Sequence, residues 1–118
     1  MAFEYQLAIP AAVQMHRTIG RDAVAARIAE LSGMFREEAA RISGLTLHTP
    51  RDPGLSAGIS CFELKGHTAE AVTKKLAAKR IRTSNAPCKV SYPRVATGIM
   101  NTLAEVEMVL RELRRLIG

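Results

Sequence analysis

The chain has 118 residues, 47% of them hydrophobic and 24% charged, which is enough for one globular core but not for two. Its 17 lysines and arginines exceed its 11 aspartates and glutamates, so the net charge is +6. This composition excludes a disordered tail and a collagen-like chain. We expect no membrane-spanning helix and no secretory signal, because the apolar runs are short and no basic segment precedes the first of them. Two cysteines fit free thiols in a reducing cytoplasm, where we expect the protein.

The first twenty residues predict an extended segment followed by a short helix. Residues 3–9 are expected to be extended, and Pro10 suits a first helical position because its missing N–H would lack a partner there anyway. The helix then runs over about 10–18, and Gly20 ends it. We interpret residues 1–20 as an interdomain segment with a helix.

A longer amphipathic helix is expected to begin at Arg21 and to stop at Gly44, in the folded domain that we assign to residues 21–118. Gly33 weakens its middle. Apolar residues recur every three or four positions along it, which predicts a buried stripe. The stripe consists of Val24, Ile28, Leu31, Phe35, Ala39 and Ile42.

Four short strands and two more helices are predicted after residue 44. The helices begin at Thr68, a good cap, and at Thr102, which forms a capping box with Glu105. The strand at 57–64 is apolar on both faces, so we expect it to be covered on both sides. The strands are predicted at 45–48, 57–64, 81–83 and 90–96. The order of elements predicts an α+β domain of two layers, with a mainly antiparallel sheet of three to four strands covered by helices.

Motifs of catalysis by the chain itself are missing. The sequence has no glycine-rich phosphate loop, no Cys-x-x-Cys pair, no His-Glu-x-x-His motif and no Gly-x-Ser-x-Gly elbow. His16, His48 and His67 lie too far apart to suggest a local metal site, and we expect no metal. Composition and spacing alone therefore indicate an α+β domain with a basic second half. They do not indicate which function the domain has.

A basic run in the second half allows two interpretations. Its members are Lys74, Lys75, Lys79, Arg80 and Arg82, with no acid among them. Such a run could follow the phosphates of a nucleic acid. It is also typical of a solvated helix end, where cations favour the negative end of the helix dipole. We prefer the second interpretation, because no aromatic residues interleave the run to stack on bases.

Several stretches resemble one family, the class V aminotransferase-like enzymes, which are pyridoxal-phosphate enzymes of fold type I. Residues 5–20 are similar to the segment that joins the two domains of those enzymes. Residues 58–62 (GISCF) resemble a "Gly-Ile-Val-x-Phe" strand, and residues 81–83 (IRT) a "Val-Arg-Thr-Gly" stretch. Residues 93–106 are similar to the family's "Arg-x-Ser … Tyr-Asn-Thr-x-Glu-Glu-Val/Ile" strand, turn and helix. The resemblance is to the small domain of the isopenicillin N epimerase and cysteine desulfurase branches.

The resemblance implies roles for two arginines. The strand arginine that matches Arg94 holds the carboxylate of the amino-acid substrate in that family, and a planar guanidinium suits this role because it forms two parallel charge-assisted bonds. The alternative is a solvated residue on an edge strand. Arg82 resembles an arginine near the active-site mouth of related desulfurases, but it also belongs to the basic run.

Cys88 suggests the nucleophilic cysteine of the desulfurases, although its surroundings depart from that pattern. It does not follow the Arg-Thr stretch as the family's "His-Cys-Ala" would, and Lys89 is its one neighbouring cation. We therefore expect Cys88 to be a small packed thiol.

The resemblance also implies what the chain lacks. In the family, a lysine after a histidine in the large domain carries the cofactor, whereas no lysine of this chain follows a histidine. We therefore expect the C-terminal small domain of an enzyme acting on an amino acid, by transamination, epimerisation, C–S lysis or desulfuration. Alone it should bind no pyridoxal phosphate and catalyse nothing. Its partners would be the large domain, the amino-acid substrate and, through the apolar residues Phe3, Tyr5, Leu7 and Ile9, a second copy.

A different class of function stays open beside this one. The chain could be a free-standing α+β binding module that uses its basic face for an acidic partner. We expect no membrane partner, and nucleic acid is the less favoured of the acidic partners.

Overall fold

A four-stranded antiparallel sheet packs one of its faces against helices in the computed structural model, which describes residues 3–118 apart from the side chain of Glu4. The strand order is β1-β2-β4-β3, and all three pairings are antiparallel. The predicted α+β, two-layer architecture is confirmed. Its elements are α1 (Phe3–Leu7), α2 (Ile9–Ile19), α3 (Arg21–Ala39), β1 (Leu45–Leu47), β2 (Ile59–Leu64), α4 (Ala69–Ala78), β3 (Ser84–Asn85), β4 (Pro93–Ala96) and α5 (Leu103–Ile117).

The core lies between the inner face of the sheet and helices α3, α4 and α5. Phe35 of α3 meets Phe62 of β2 with ring centroids 5.9 Å apart. Of the stripe predicted on the long helix, four residues are buried, whereas Val24 and Ile28 are half-buried near its beginning. Burial of this apolar surface is the main stabilising contribution. The buried apolar residues are Leu31, Phe35, Ala39, Ile42, Leu45, Phe62, Leu64, Val72, Leu76, Ile81, Val95, Val106, Leu110 and Leu113.

Side-chain caps set the beginnings of α4 and α5 where the sequence predicts them. The Thr68 hydroxyl accepts a bond from the backbone N–H of Ala71 at 3.2 Å. At α5 the Thr102 hydroxyl accepts from the N–H of Glu105 at 3.2 Å, while the Glu105 carboxylate accepts from the N–H of Thr102 at 2.8 Å. Both ends therefore satisfy donors that would otherwise have no partner.

The outer face of the sheet is open, so the expectation that β2 is covered on both sides is wrong for this chain by itself. Ser60, Phe62 and Leu64 are buried, whereas Ile59 is 51% exposed. Strand side chains alternate between the two faces, and the helices pack against only one of them. An outer face that holds Ile59 and Cys61 beside polar residues such as Glu63 thus stays without a covering helix in this chain.

Three predicted segments differ from the structure. Residues 3–7 form a helix instead of an extended segment, since FEYQL contains no glycine or proline and Pro10 is tolerated in the first turn of α2. The third strand is Ser84–Asn85, after the predicted 81–83, and the fourth begins only at Pro93. In the observed register residues 84 and 85 pair with residues 94 and 93, so the short third strand forms at 84–85.

No helix among the described residues is both long enough and apolar enough to cross a bilayer.

The boundary between an interdomain segment at 1–20 and a folded domain at 21–118 stays a prediction.

Candidate functional site

Arg94 lies on the open face of the sheet, in the middle of the short strand β4. Its neighbours Pro93 and Val95 are buried, so alternation turns Arg94 away from the core. It is paired with Cys61 of β2 on one side and with Ser84 of β3 on the other. The strand therefore fixes the direction in which the guanidinium leaves the backbone.

The guanidinium of Arg94 is held at one nitrogen. Its Nε donates to the Ser84 hydroxyl oxygen at 2.8 Å. Among the described residues, no carboxylate forms an ion pair with Arg94, and no acceptor bonds its two terminal nitrogens. These terminal N–H groups form the edge that binds a carboxylate through two parallel bonds. The geometry fits an anion approaching from the open face.

Two aromatic rings contact each other near the strand of Arg94: Tyr92 is two residues before Arg94, and His48 bonds through its backbone to Cys61, the strand partner of Arg94. The rings of His48 and Tyr92 have centroids 4.1 Å apart and are inclined by 33°. His48 Nε2 is 3.4 Å from a carboxylate oxygen of Glu63. The sequence does not predict this cluster as a site. Tyr92 could have been found from its spacing of two residues from Arg94, but the contact with His48 depends on the pairing of distant strands.

Arg82 contributes to a different surface from Arg94. It is exposed and lines a cleft of about 500 Å³ together with Val95, Thr97 and Val106. Arg94 does not line that cleft. Arg82 is two residues from Ser84, the cross-strand partner of Arg94, but no hydrogen bond or ion pair of the described residues gives the two arginines a common partner.

Cys88 is exposed, so the expectation of a packed thiol is wrong. It lies in the segment between β3 and β4, where residues 87–91 are all exposed, and it forms no disulfide. Cys61, its counterpart on β2, is half-buried and also free. The thiol of Cys88 is accessible, but no described residue bonds to it.

The chain's own residues do not form a Schiff-base site for pyridoxal phosphate. All five lysines are exposed, at positions 65, 74, 75, 79 and 89. Such a lysine is normally desolvated in a pocket, which lowers its pKa and frees the amine to react. The residues present therefore do not fit the covalent anchoring of that cofactor. No group of three or more His, Cys, Asp or Glu residues that could hold a metal occurs in the described part of the chain.

Comparison with known proteins finds a relative by sequence. The chain is 32% identical over 114 residues to isopenicillin N epimerase from Amycolatopsis lactamdurans. The match covers 93% of this chain and 28% of that protein, so the chain spans little more than a quarter of its relative. No family model matches the chain.

Solved structures share the fold at low sequence identity. A cysteine desulfurase from Thermococcus onnurineus NA1 superposes with a TM-score of 0.79 at 19% identity, covering 86% of this chain and 28% of that one. The cystine C–S lyase C-DES, solved with its reaction product cysteine persulfide, gives 0.77 at 19% identity over 88% of this chain and 27% of that one. Another structure of C-DES contains glycine covalently linked to its pyridoxal-phosphate cofactor.

The sequence match and the shared fold agree in extent, since each covers most of this chain and less than a third of the relative. Both point to the same branches as the residues around Arg94, and C-DES carries a pyridoxal-phosphate cofactor. The chain matches the C-terminal small domain of the class V aminotransferase-like pyridoxal-phosphate enzymes, of the isopenicillin N epimerase and cysteine desulfurase type.

Proposed function

We propose that this chain is the small domain of a larger pyridoxal-phosphate enzyme that acts on an amino acid, and that Arg94 binds the α-carboxylate of its substrate. The observation that carries the proposal is the state of the Arg94 guanidinium: one nitrogen is bonded to Ser84, and the other two have no partner among the described residues. A guanidinium held in this way is oriented before a carboxylate arrives, so less entropy is lost on binding.

The open face of the sheet supports the same proposal. The curated relative is more than three times as long as the part that this chain matches. On that face Ile59 is 51% exposed and Arg94 is partly exposed within this chain. The rest of the parent protein would cover the face and hold the cofactor, and the substrate would lie between the two parts. Whether the parent is an epimerase, a transaminase, a desulfurase or a C–S lyase depends on that other part.

The chain alone would be inactive, because none of its exposed lysines offers a desolvated amine to the cofactor. Titration of the 118-residue chain with excess pyridoxal phosphate should give no stable, stoichiometric absorbance band of a protein-bound imine. Such a band would contradict this assignment.

The role of Arg94 is tested in the full-length parent protein. Arg94→Lys keeps a charge but loses the parallel pair of bonds, so we expect KM for the amino acid to rise by about a hundredfold. Arg111→Lys, at an exposed position on α5, is the matched control and should leave KM unchanged. An unaltered KM in Arg94→Lys would rule out carboxylate binding by Arg94. Arg82→Lys, examined in parallel, tests the second predicted arginine.

A basic binding module is the second candidate, favoured by the exposure of the whole basic run. Only Lys75 of that run has a polar side-chain contact among the described residues, 3.5 Å from His67 Nδ1. Binding of a DNA or RNA duplex that falls steeply as salt rises would support this function. Absence of binding at low salt would remove it.

A further inference from the structure

The cleft that Arg82 lines opens at the edge of the sheet, between the loop after α4 and helix α5. Its volume is about 500 Å³, within the range of small-ligand sites. Its floor is apolar and belongs to the hydrophobic core, since Phe35, Ile81, Val95 and Val106 are all buried and line it. A ligand seated there would bury an apolar part against these side chains.

Three cationic side chains lie along one rim of this cleft. Lys79, Arg80 and Arg82 line it and are exposed, and none forms an ion pair within the described part of the chain. One carboxylate, that of Glu105, also lines the cleft. Its Oε2 already accepts from the Thr102 N–H at 2.8 Å and from the Asn101 amide at 3.3 Å. The rim therefore has an excess of positive charge that nothing in the chain neutralises.

Arg80 occupies a backbone position that favours glycine. Its φ is 61°, and it is the one non-glycine residue with positive φ in the described part of the chain. It follows the last turn of α4, where the N–H of Arg80 bonds to the carbonyl of Ala77 and the N–H of Ile81 to that of Leu76. This pair of backbone hydrogen bonds at the C-terminus of a helix is a Schellman motif, which usually has glycine at its left-handed residue. An arginine there costs stability, and strain of this kind is concentrated at functional sites.

Thr83 adds a buried polar group without a partner. Its hydroxyl oxygen is inaccessible to solvent, accepts and donates no hydrogen bond in the structure, and belongs to a residue that lines the cleft. Buried hydroxyls are nearly always bonded, so one without a partner calls for an explanation. The Thr83 side chain lines the cleft and is half-buried, so a rotation about its Cα–Cβ bond would turn the hydroxyl outward to donate a hydrogen bond to a ligand oxygen.

We propose that this cleft binds a small organic anion whose carboxylate contacts Lys79, Arg80 and Thr83 and whose apolar chain or ring lies against the core side chains of its floor. The site is separate from Arg94, which faces the open side of the sheet. The proposal does not depend on the substrate of the parent enzyme.

Decanoate is the probe, added to the 118-residue chain and followed by calorimetry and by NMR of the Met108 methyl group, which lies at the cleft. We expect saturable binding of one decanoate per chain, with the Met108 signal shifting in parallel. Acetate, which has no tail, and decanol, which has no charge, should each bind about tenfold more weakly or not at all. Decanol binding as tightly as decanoate would overturn the role of the cations.

Arg80→Gly is the decisive variant, because glycine suits the left-handed residue and the fold should persist or gain stability. We expect its affinity for decanoate to fall by about tenfold while its melting temperature does not fall. Lys74→Ala is the matched control for Lys79→Ala: both lysines are exposed, one within α4 and one at its C-terminal cap, but Lys74 does not line the cleft. Equal losses in these two variants would show that diffuse charge, and not the cleft, attracts the anion. Absence of saturable decanoate binding would overturn the proposal outright.

Discussion

Ser84 holds the guanidinium of Arg94 from the neighbouring strand: the two residues are cross-strand partners, and Arg94 Nε donates to the Ser84 hydroxyl at 2.8 Å. The resembling "Val-Arg-Thr-Gly" stretch has glycine at the position of Ser84, so this bond is a departure of the present chain from that pattern. It fixes one edge of the guanidinium and leaves the other for a ligand.

Ser84→Ala should therefore weaken carboxylate binding without unfolding the strand. Loss of one hydrogen bond predicts a rise in KM of about threefold to tenfold in the full-length protein, with a smaller effect on kcat. Ser84→Thr keeps a hydroxyl and a better strand former, so it should restore the wild-type KM. Equal KM values for the alanine and threonine variants would show that Ser84 does not position Arg94.

Arg36 is a buried cation held by neutral oxygens. It is 2% exposed, Nε donates to the Ser60 hydroxyl at 3.1 Å and Nη1 to the Ser56 hydroxyl at 2.7 Å, and Nη2 bonds to the carbonyl of Ala57. Burial lowers the pKa of its guanidinium, and none of the ion pairs in the described residues includes it. The residue ties α3 to the loop before β2.

Arg36→Ala should destabilise the fold by about 3 kcal/mol in urea unfolding, because it leaves a cavity and removes the donor to the buried Ser60 hydroxyl and to two partly buried oxygens. Arg36→Met fills most of that volume and should cost less, since an apolar residue also avoids burying a charge. Equal losses for both variants would mean that hydrogen bonds alone account for the role of Arg36. A loss below about 1 kcal/mol in Arg36→Ala would contradict the assignment.

The features that the sequence predicted well are local ones. The capping box at Thr102 and the buried positions Leu31 and Phe35 follow from spacings within a few residues, and the alternation of β4 places Arg94 on one face. The Ser84 and His48 contacts could not be predicted, because each depends on which distant strands pair and in what register. The open face could not be predicted either. Apolar residues on both sides of β2 favour cover on both sides, but they do not show whether this chain or another part of a protein supplies it.

Gly58 precedes β2 at a point where a side chain has no room. An added Cβ would lie 2.7 Å from Ile28 Cγ2 and 2.8 Å from the carbonyl oxygen of Thr97. That carbonyl is backbone and cannot turn away cheaply, so Gly58→Ala should destabilise the protein by about 2 kcal/mol. Gly33 in α3 is the matched control, because nothing lies within 4 Å of its added Cβ. Gly33→Ala should stabilise the helix by about 1 kcal/mol in the same unfolding experiment. A loss of stability in Gly33→Ala would contradict this interpretation.

Glu105 makes the stability of the capping box depend on pH. The hydrogen bond from the Thr102 backbone, with the Asn101 amide in second place, lowers the pKa of the Glu105 carboxyl below its ordinary value of 4.5. A lowered pKa in the folded state adds stability above the unfolded value, and this stability is lost as the pH falls through the folded value. The melting temperature of the wild type should therefore exceed that of Glu105→Gln at pH 7, and the gap should narrow below about pH 4.5. A difference in melting temperature between the two proteins that stays constant down to pH 3 would show that the charge of the Glu105 carboxylate does not contribute to stability.

Helices α1 and α2 carry the apolar surface that predicts self-association. Phe3, Tyr5 and Leu7 are each more than three-quarters exposed, and no residue of α2 is buried. Apolar side chains clustered in this way on a soluble chain are typical of an interface. Sedimentation of the 118-residue chain should show a concentration-dependent dimer, which Leu7→Glu shifts towards the monomer by placing a charge in the contact. Gln14→Glu adds the same charge at an exposed polar position of α2 and is the control. A monomer at every concentration, or equal effects of the two substitutions, would exclude association through this surface.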